Sequence, residues 1–182
     1  MKQAISLRAY IRVALKESGI PFTAIRPAYF TSNLSWYAND IRQGSAQLLY
    51  PDVKFDYISP FDIGTVCGAL LGEPHFRAEN NNVIPLHGFE LHTQTEALKI
   101  IGQVLNREIQ IEELDEDAWY DKQLKILPRP ALDAITSDMR ASHQGKDLYP
   151  DFAEASSNLS KYAEREPTKL EDWVKSNRAA FE

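Results

Sequence analysis

The chain has 182 residues, of which 43% are hydrophobic and 25% are charged, and its formal net charge is −6. A chain of this length can fold as a single domain with a hydrophobic core, and the composition is that of a globular protein. The acidic balance argues against a nucleic-acid or anionic-membrane partner, because both select for basic surfaces. Since no apolar run is long enough to span a bilayer and no secretion signal is evident, we expect a cytoplasmic protein.

The beginning of the chain has the pattern of a helix, a strand and a second helix. Apolar residues at helical spacing predict a helix over residues 5–18, and Gly19 stands where a left-handed residue after a helix belongs. A strand is predicted over residues 22–26, where it stops at Pro27. A short helix is predicted over residues 32–43.

A second strand and helix follow. The strand is predicted over residues 55–58, and Asp62 is well placed as the N-cap of a helix over residues 63–71. Each glycine inside a helix costs about 1 kcal/mol relative to alanine, so we expect a glycine-lined face to pack very closely against a neighbouring element. Three glycines recur at four-residue spacing in this segment: Gly64, Gly68 and Gly72.

The next segment has clearer signals. Residues 82–86 predict a short edge strand, since proline is tolerated at the edge of a sheet. Thr93 and Glu96 form a capping box, which predicts the start of an amphipathic helix. Alternating polar and apolar residues over 108–112 predict a half-exposed strand.

The remainder is predicted to be mostly helical. A proline-rich break separates helices predicted over residues 115–126 and 131–141, and residues 147–158 have the composition of a loop. Thr168 and Glu171 form a second capping-box pattern, which predicts the start of a final helix.

The pattern changes near Leu86. Residues 1–86 combine strands and helices, whereas residues 87–182 are mostly helical with one alternating strand. We therefore predict an α/β protein in which these two regions pack together as one compact domain.

The end of the first predicted strand is where a binding site is expected, because ligands lie outside the carboxyl ends of strands in open α/β sheets. In the functional interpretation, Pro27 turns the chain across a flat ligand, and the backbone amides that follow, with Tyr29 and Phe30, face an amide-bearing ring. Asn33 and Trp36 follow closely and are expected to line the same pocket. The alternative is that these aromatic side chains only pack the end of the strand.

Other catalytic and cofactor motifs have no match in these residues. There is no glycine-rich phosphate loop and no Gly-x-Ser-x-Gly, and no predicted helix contains a tyrosine followed four residues later by lysine; Tyr50 and Lys54 have this spacing but lie between predicted elements. The single cysteine, Cys67, excludes a disulfide within the chain. No metal site is predicted, because the histidines lack ligand spacing. They are His75, His87, His92 and His143.

Three ordered motifs resemble the NmrA-like family of atypical short-chain dehydrogenases. In residues 15–34, Ser-Gly-Ile-Pro-Phe-Thr is followed by Arg-Pro-Ala-Tyr-Phe and by Asn33. In residues 57–64, a strand-like segment leads into Asp-Ile-Gly, and residues 165–174 contain Arg-Glu-Pro-Thr followed by Trp-Val. The resemblance covers nearly the whole chain.

The resemblance implies a Rossmann-like parallel sheet with a smaller, mostly helical cap. It also implies an oxidoreductase that passes a hydride between NADP or NAD and a small electrophile such as a quinone. No catalytic acid is identified. The residues implied to contact the nicotinamide end are Pro27, Ala28, Tyr29 and Phe30, and those implied to shape the substrate pocket are Asn33, Trp36 and Tyr57.

The resemblance corresponds to the C-terminal half of a full-length family member. The family's glycine-rich phosphate turn has no counterpart here, so we expect weak cofactor binding through the nicotinamide end alone. Strand 22–26 is expected to have an exposed edge, which favours pairing with a complementing chain or formation of a homodimer. The alternative is a non-enzymatic member that senses dinucleotide or binds a protein partner, and the absence of a Tyr-x-x-x-Lys pair from the predicted helices fits it equally well.

Overall fold

The computed structural model describes residues 7–72 and 82–182, with the side chains of residues 7–10, 12 and 82 outside that description. The helices are α1 (Leu7–Ser18), α2 (Ala38–Arg42), α3 (Pro60–Gly72), α4 (Gln94–Leu105), α5 (Glu116–Gln123), α6 (Arg129–His143), α7 (Phe152–Ala163) and α8 (Leu170–Ser176). The strands are β1 (Thr23–Pro27), β2 (Ser45–Leu48), β3 (Lys54–Phe55), β4 (Asn82–Leu86), β5 (His92–Thr93) and β6 (Gln110–Glu113). Segments Thr31–Tyr37 and Arg178–Ala180 are 3₁₀ helices. None of the helices in the described ranges could cross a bilayer, because none is both long and apolar enough.

Across the described ranges, the strands pair as three two-stranded ladders. β1 and β4 are parallel, with Ile25 opposite Ile84 and Arg26 opposite Pro85. β2 and β6 are also parallel, and β3 and β5 are antiparallel. Parallel strands need a long crossover connection, which here includes α3 between β1 and β4. The predicted α/β class with parallel strands is therefore confirmed.

The apolar side chains are buried in two clusters. The first core fills the space among the first 3₁₀ helix, α2, the β2 and β3 region, α4, α5, α6 and α8, and its largest fully buried members are Trp119 and Phe181. The second core lies where α7 packs against both β4 and α3. Its buried members are Ile58, Val66, Ile84, Leu86, Leu159 and Tyr162.

Several predicted boundaries agree with the structure. Gly19 follows α1 with a φ of 70°, as its position after a helix predicts. β1 begins one residue later than predicted, and the predicted helix over 32–43 is a 3₁₀ helix that continues into α2. Thr93 accepts a hydrogen bond from the Glu96 amide and Glu96 accepts one from the Thr93 amide, which confirms the first capping box.

Two elements were not predicted correctly. Residues 147–158 are not all loop, because α7 begins at Phe152. Its buried residues recur at helical spacing, but serines between them hide that pattern in the sequence. β2 was missed because it has four residues with little β-branched character.

The prediction that the glycines of α3 pack closely against a neighbour is wrong. Gly64, Gly68 and Gly72 are all exposed, and a Cβ added at any of them meets no described atom within 4 Å. The buried residues of α3 are Asp62 and Val66, on another face of the helix.

The predicted caps of α3 and α8 are also wrong, because the two residues bind each other instead. α3 begins at Pro60, so Asp62 lies inside its first turn, and α8 is preceded by Lys169 with no side-chain cap. The fully buried Asp62 carboxylate accepts hydrogen bonds from the Thr168 amide at 2.8 Å and hydroxyl at 2.7 Å. Arg165 Nη1 lies 3.1 Å from the same carboxylate. These contacts tie the C-terminal Arg-x-Pro-Thr motif to the start of α3.

Replacing Thr168 by valine should destabilise the protein by about 1.5–3 kcal/mol. Valine has nearly the same shape as threonine but no hydroxyl, so the buried Asp62 carboxylate loses one hydrogen-bond donor. The measurement is the free energy of unfolding in urea. Ser176→Ala is the control, since that exposed hydroxyl donates to the Asp172 carbonyl, and it should change stability by less than about 0.5 kcal/mol. Equal effects for the two variants would contradict the assigned role of the Asp62 contact.

Candidate functional site

The predicted binding segment, residues 27–30, leaves the sheet at the carboxyl end of β1. Because β1 and β4 are parallel, the segment after β4 leaves the same edge. Phe30 pairs with Ile58 in an isolated parallel bridge, in which the Ile58 amide donates to the Tyr29 carbonyl at 2.8 Å and the Thr31 amide donates to the Ile58 carbonyl at 3.0 Å. This edge is thus assembled from three separate chain segments.

The predicted nicotinamide contacts do not all face the same way. Ala28 is exposed and Pro27 is partly buried, so these two residues present surface at the strand end. Tyr29 packs against the first core and Phe30 packs against the second. The interpretation that these aromatic residues pack the strand end therefore holds for their side chains, while the main chain and Ala28 remain at the surface.

The predicted pocket residues meet in one aromatic cluster around Tyr29. The Tyr29 ring stacks on Phe55 with a centroid distance of 3.9 Å, and it makes edge contacts with Trp36 at 6.1 Å and Tyr57 at 5.5 Å. The Asn33 side chain lies near the Tyr29 hydroxyl and lowers the pKa of that phenol slightly, against the larger effect of burial. Burial raises the pKa of both Tyr29 and Tyr57 well above the ordinary value, so both phenols stay protonated at neutral pH.

The backbone at Tyr57 corrects the predicted second strand. β3 ends at Phe55, and Tyr57 has a φ of 43°, which is uncommon for a residue with a side chain. This turn places Asp56 and Tyr57, both buried, beside the segments after β1 and β4. A continuous strand over 55–58 would alternate these side chains between opposite faces instead.

Asp56 is the site residue that the sequence reasoning missed. Its side chain is 1% exposed and accepts hydrogen bonds from the Tyr29 amide at 2.8 Å, the Gly88 amide at 3.1 Å and the Tyr149 hydroxyl at 3.2 Å. Burial raises the pKa of this carboxyl to about 6, against the opposing effect of the two amide donors. An aspartate between two aromatic residues of a predicted short strand was the signal available in the sequence.

The segment after β4 approaches Asp56 too closely for a side chain. A Cβ at Gly88 would lie 1.9 Å from the Asp56 carbonyl oxygen, so the position requires glycine. The Gly88 carbonyl accepts a hydrogen bond from Ser156 at 2.5 Å, and the His87 amide donates to the Ala155 carbonyl at 3.3 Å. Helix α7 therefore holds this segment from the other side.

This geometry limits which groups a ligand can use. The Tyr29 amide already donates to Asp56, so it is not available to face an amide-bearing ring as the sequence suggested. At the strand end, a ligand can contact the exposed Ala28 and the main chain of this segment, which the bond to Asp56 holds in place. No group of three potential metal ligands occurs among the described residues, and His75 lies outside them. Two described grooves are lined by residues of α4, α8 and the β6 region rather than by the predicted site residues.

Two curated proteins are similar to most of the chain. A (4-alkanoyl-5-oxo-2,5-dihydrofuran-3-yl)methyl phosphate reductase from Streptomyces griseus is 27% identical over 170 residues, which is 92% of this chain and 57% of that protein. The nitrogen metabolite regulation-like protein bik4 from Gibberella fujikuroi is 26% identical, over 92% of this chain and 55% of that protein. No protein-family model matches the chain. The chain spans little more than half the length of these relatives.

Solved structures have the same fold. An NADPH-dependent quinone oxidoreductase from Escherichia coli superimposes with a TM-score of 0.72 at 18% identity, over 94% of this chain and 60% of that one. The predicted Rossmann-like fold is therefore confirmed. The similarity to bik4, a nitrogen metabolite regulation-like protein, agrees with the resemblance to the NmrA-like family.

Replacing Gly88 by alanine should destabilise the protein by about 3 kcal/mol or more, because the new methyl group collides with backbone that cannot move freely. Gly64→Ala is the matched control. Gly64 lies in a helix, is exposed and has open space for a Cβ, so alanine there should stabilise by up to about 1 kcal/mol. Urea unfolding of both variants checks the pair, and a tolerated alanine at residue 88 would contradict the close approach.

The raised pKa of Asp56 predicts a stability that falls as pH rises. The folded state holds the Asp56 proton more tightly than the unfolded state, so the stabilisation is complete below about pH 4 and is lost as pH rises through about 6. The shift of about two pKa units corresponds to at most about 3 kcal/mol.

The measurement is the unfolding free energy of the wild-type protein minus that of Asp56→Asn, taken from about pH 4 to about pH 7. Only the wild-type residue titrates, so this difference should decrease with rising pH. A difference that stayed constant or grew would show that the carboxyl is not destabilised by its burial.

Proposed function

We propose that this chain forms the nicotinamide-side part of an NAD(P)-dependent oxidoreductase that acts on a small electrophile such as a quinone. The observation that carries this proposal is the parallel β1–β4 edge, where the fixed segment 27–30 lies at the position at which α/β sheets bind ligands. The similarity to a reductase and to an NADPH-dependent quinone oxidoreductase supports it. When bound, the reduced nicotinamide supplies the hydride.

The described residues fit the nicotinamide end of such a cofactor better than its phosphates. Pro27 and Ala28 offer a small surface at the strand end, and the partly buried Tyr29 and Phe30 follow directly in the chain. The Asn33, Trp36 and Tyr57 side chains surround Tyr29 and would form the apolar wall of the substrate pocket. Nothing in the sequence matches a glycine-rich pyrophosphate turn, so this chain alone would bind NADP or NAD weakly.

The region after Leu86 would cover this edge. Helix α7 packs on β4 and α3, and the segment around Thr168 is bound to the start of α3. This arrangement supports the division into residues 1–86 and 87–182, with the second region serving as the cap of the first.

One edge of β1 has no strand partner among the described residues, which favours pairing with a second polypeptide unit. Among the described strands, β1 pairs with β4 alone, and two-stranded parallel sheets are not stable by themselves. Thr23 and Arg26 are exposed, and Ile20, just before the strand, is 58% exposed. We propose that a parallel strand from a dinucleotide-binding unit pairs here; a homodimer is the other arrangement, and light scattering of the purified chain over a range of concentrations distinguishes them.

A regulatory role is the second candidate function. The similarity to bik4, whose name describes nitrogen metabolite regulation, supports it, and so does the absence of a Tyr-x-x-x-Lys pair from the described helices. In this case the same edge would bind a dinucleotide without turnover. Quinone reduction assayed with NADPH separates the two roles, since a sensor binds the cofactor but does not oxidise it.

Binding of three ligands to the full chain tests the proposed site. They are nicotinamide riboside, NADPH and 2′-phospho-ADP-ribose, followed by saturation-transfer NMR because weak binding is expected. Nicotinamide riboside and NADPH should bind with nearly equal affinity, while 2′-phospho-ADP-ribose should not bind. Absence of nicotinamide riboside binding at millimolar concentration would overturn the proposal for this polypeptide.

Adding bulk at Ala28 should block the site without disturbing the fold. Ala28 is exposed, so Ala28→Gln should leave stability within about 0.5 kcal/mol and weaken nicotinamide riboside binding by about tenfold. Ala134→Gln, at an exposed position of α6, is the control and should leave binding unchanged. Unchanged affinity in the Ala28 variant would show that the ligand does not bind at segment 27–30.

A further inference from the structure

The Asp56 carboxylate is shared by three segments that are distant in sequence. Its oxygens accept from the Tyr29 amide after β1, the Gly88 amide after β4 and the Tyr149 hydroxyl just before α7. The Tyr149 hydroxyl also accepts from the Asp56 amide at 3.4 Å. One buried side chain therefore fixes the main chain on both sides of the strand edge.

The two main-chain donors to Asp56, Tyr29 and Gly88, both lie just beyond the carboxyl ends of the paired strands. Tyr29 and Gly88 lie two residues beyond the aligned ends of β1 and β4, where Pro27 is opposite Leu86. Asp56, which joins the loops after β1 and β4, therefore fixes the main chain at the base of any pocket that opens at the strand ends. Since a buried carboxylate is costly, an apolar side chain would stabilise a purely structural junction as well or better.

The side chain of Tyr149 closes the junction against solvent. Tyr149 is itself buried and makes an edge contact with the His87 ring at 5.1 Å, and His87 stacks on Phe152 at 5.7 Å. This row of rings leads from the carboxylate to the first turn of α7. The helical region is thereby connected to the position of the Tyr29 main chain.

We infer that Asp56, with Tyr149, is a positioning residue for ligand binding: it fixes the Tyr29 and Gly88 main chains so that the ligand-contacting surface at residues 27–30 is preformed. The inference rests on the proposed function for the identity of the ligand, a nicotinamide group. The arrangement of the carboxylate and its donors is independent of that identity.

Amide hydrogen exchange tests the positioning role without any ligand. In Asp56→Asn, the amide side chain can accept from one main-chain donor but opposes the other with its own N–H groups. Exchange at Tyr29 or Gly88 should therefore become about tenfold faster relative to Arg26 and Ile84, whose amides the register places in the β1–β4 ladder and which serve as internal references. Uniform acceleration at all four amides, or none, would overturn the inference.

Affinity for nicotinamide riboside tests the consequence for binding, at a pH and temperature where each variant is folded. Asp56→Asn should weaken binding by about tenfold, and Tyr149→Phe, which keeps the ring and removes the hydroxyl, by about threefold. Tyr120→Phe is the control, because that hydroxyl bonds to Asp133 between α5 and α6, and its affinity should be unchanged. Unchanged affinity in folded Asp56→Asn would overturn the inference.

The two proposals fail in different ways. If the wild-type chain does not bind nicotinamide riboside, the proposed ligand is wrong, and the exchange measurement still decides whether Asp56 fixes both loops. If the wild-type chain binds and Asp56→Asn binds equally well, the proposed function stands and the positioning role is wrong. Tyr149→Phe gives the same decision if Asp56→Asn does not fold.

Discussion

The buried carboxylate of Asp56, at the end of a parallel strand pair, joins three chain segments that are distant in sequence. Asp56 loses its hydration on burial, and three donors from three segments replace it. Such a group stabilises a particular arrangement only while all its partners are in place, because an unpaired buried donor or acceptor costs more than a formed hydrogen bond gains. The ends of β1 and β4 are thus held in one relative position.

A second buried carboxylate lies six residues further along and has a comparable role. Asp62 accepts from the amide and hydroxyl of Thr168, while Asp56 accepts from Tyr29, Gly88 and Tyr149. Between the two, Ile58 bridges to Phe30 and packs in the second core. Segment 56–62 therefore connects the strand edge, the C-terminal segment and the start of α3, which explains why these motifs occur together in the chain.

The sequence predicted this fold well where local signals were strong. Gly19 and the Thr93–Glu96 capping box are local features, and both were confirmed. The parallel alignment of Ile25 with Ile84 follows from strand and helix alternation, which the sequence also shows. The predictions failed where a residue fits a local pattern but has a distant partner, since Asp62 and Thr168 each resemble a helix cap yet bind each other across 106 positions.

The candidate site was predicted in part for the same reason. The Tyr29 cluster could be anticipated because Asn33 and Trp36 are near in sequence, whereas Phe55 and Tyr57 join it through the fold. Asp56 could not be assigned, because its three donors come from residues that no spacing rule connects. The positive φ of Tyr57 and the close approach of Gly88 are likewise consequences of the assembled junction.

The division of Tyr29 and Phe30 between two cores has a consequence for recognition. Since the Tyr29 ring packs against the first core and the Phe30 ring against the second, the strand end offers a ligand a rigid main chain and a methyl group at Ala28 rather than mobile side chains. A rigid, nearly featureless surface discriminates by shape and excludes bulk, but it provides little binding energy of its own. Affinity at this edge therefore has to come from contacts with other parts of the ligand; we propose that a unit supplying them would pair with the side of β1 that has no partner among the described strands.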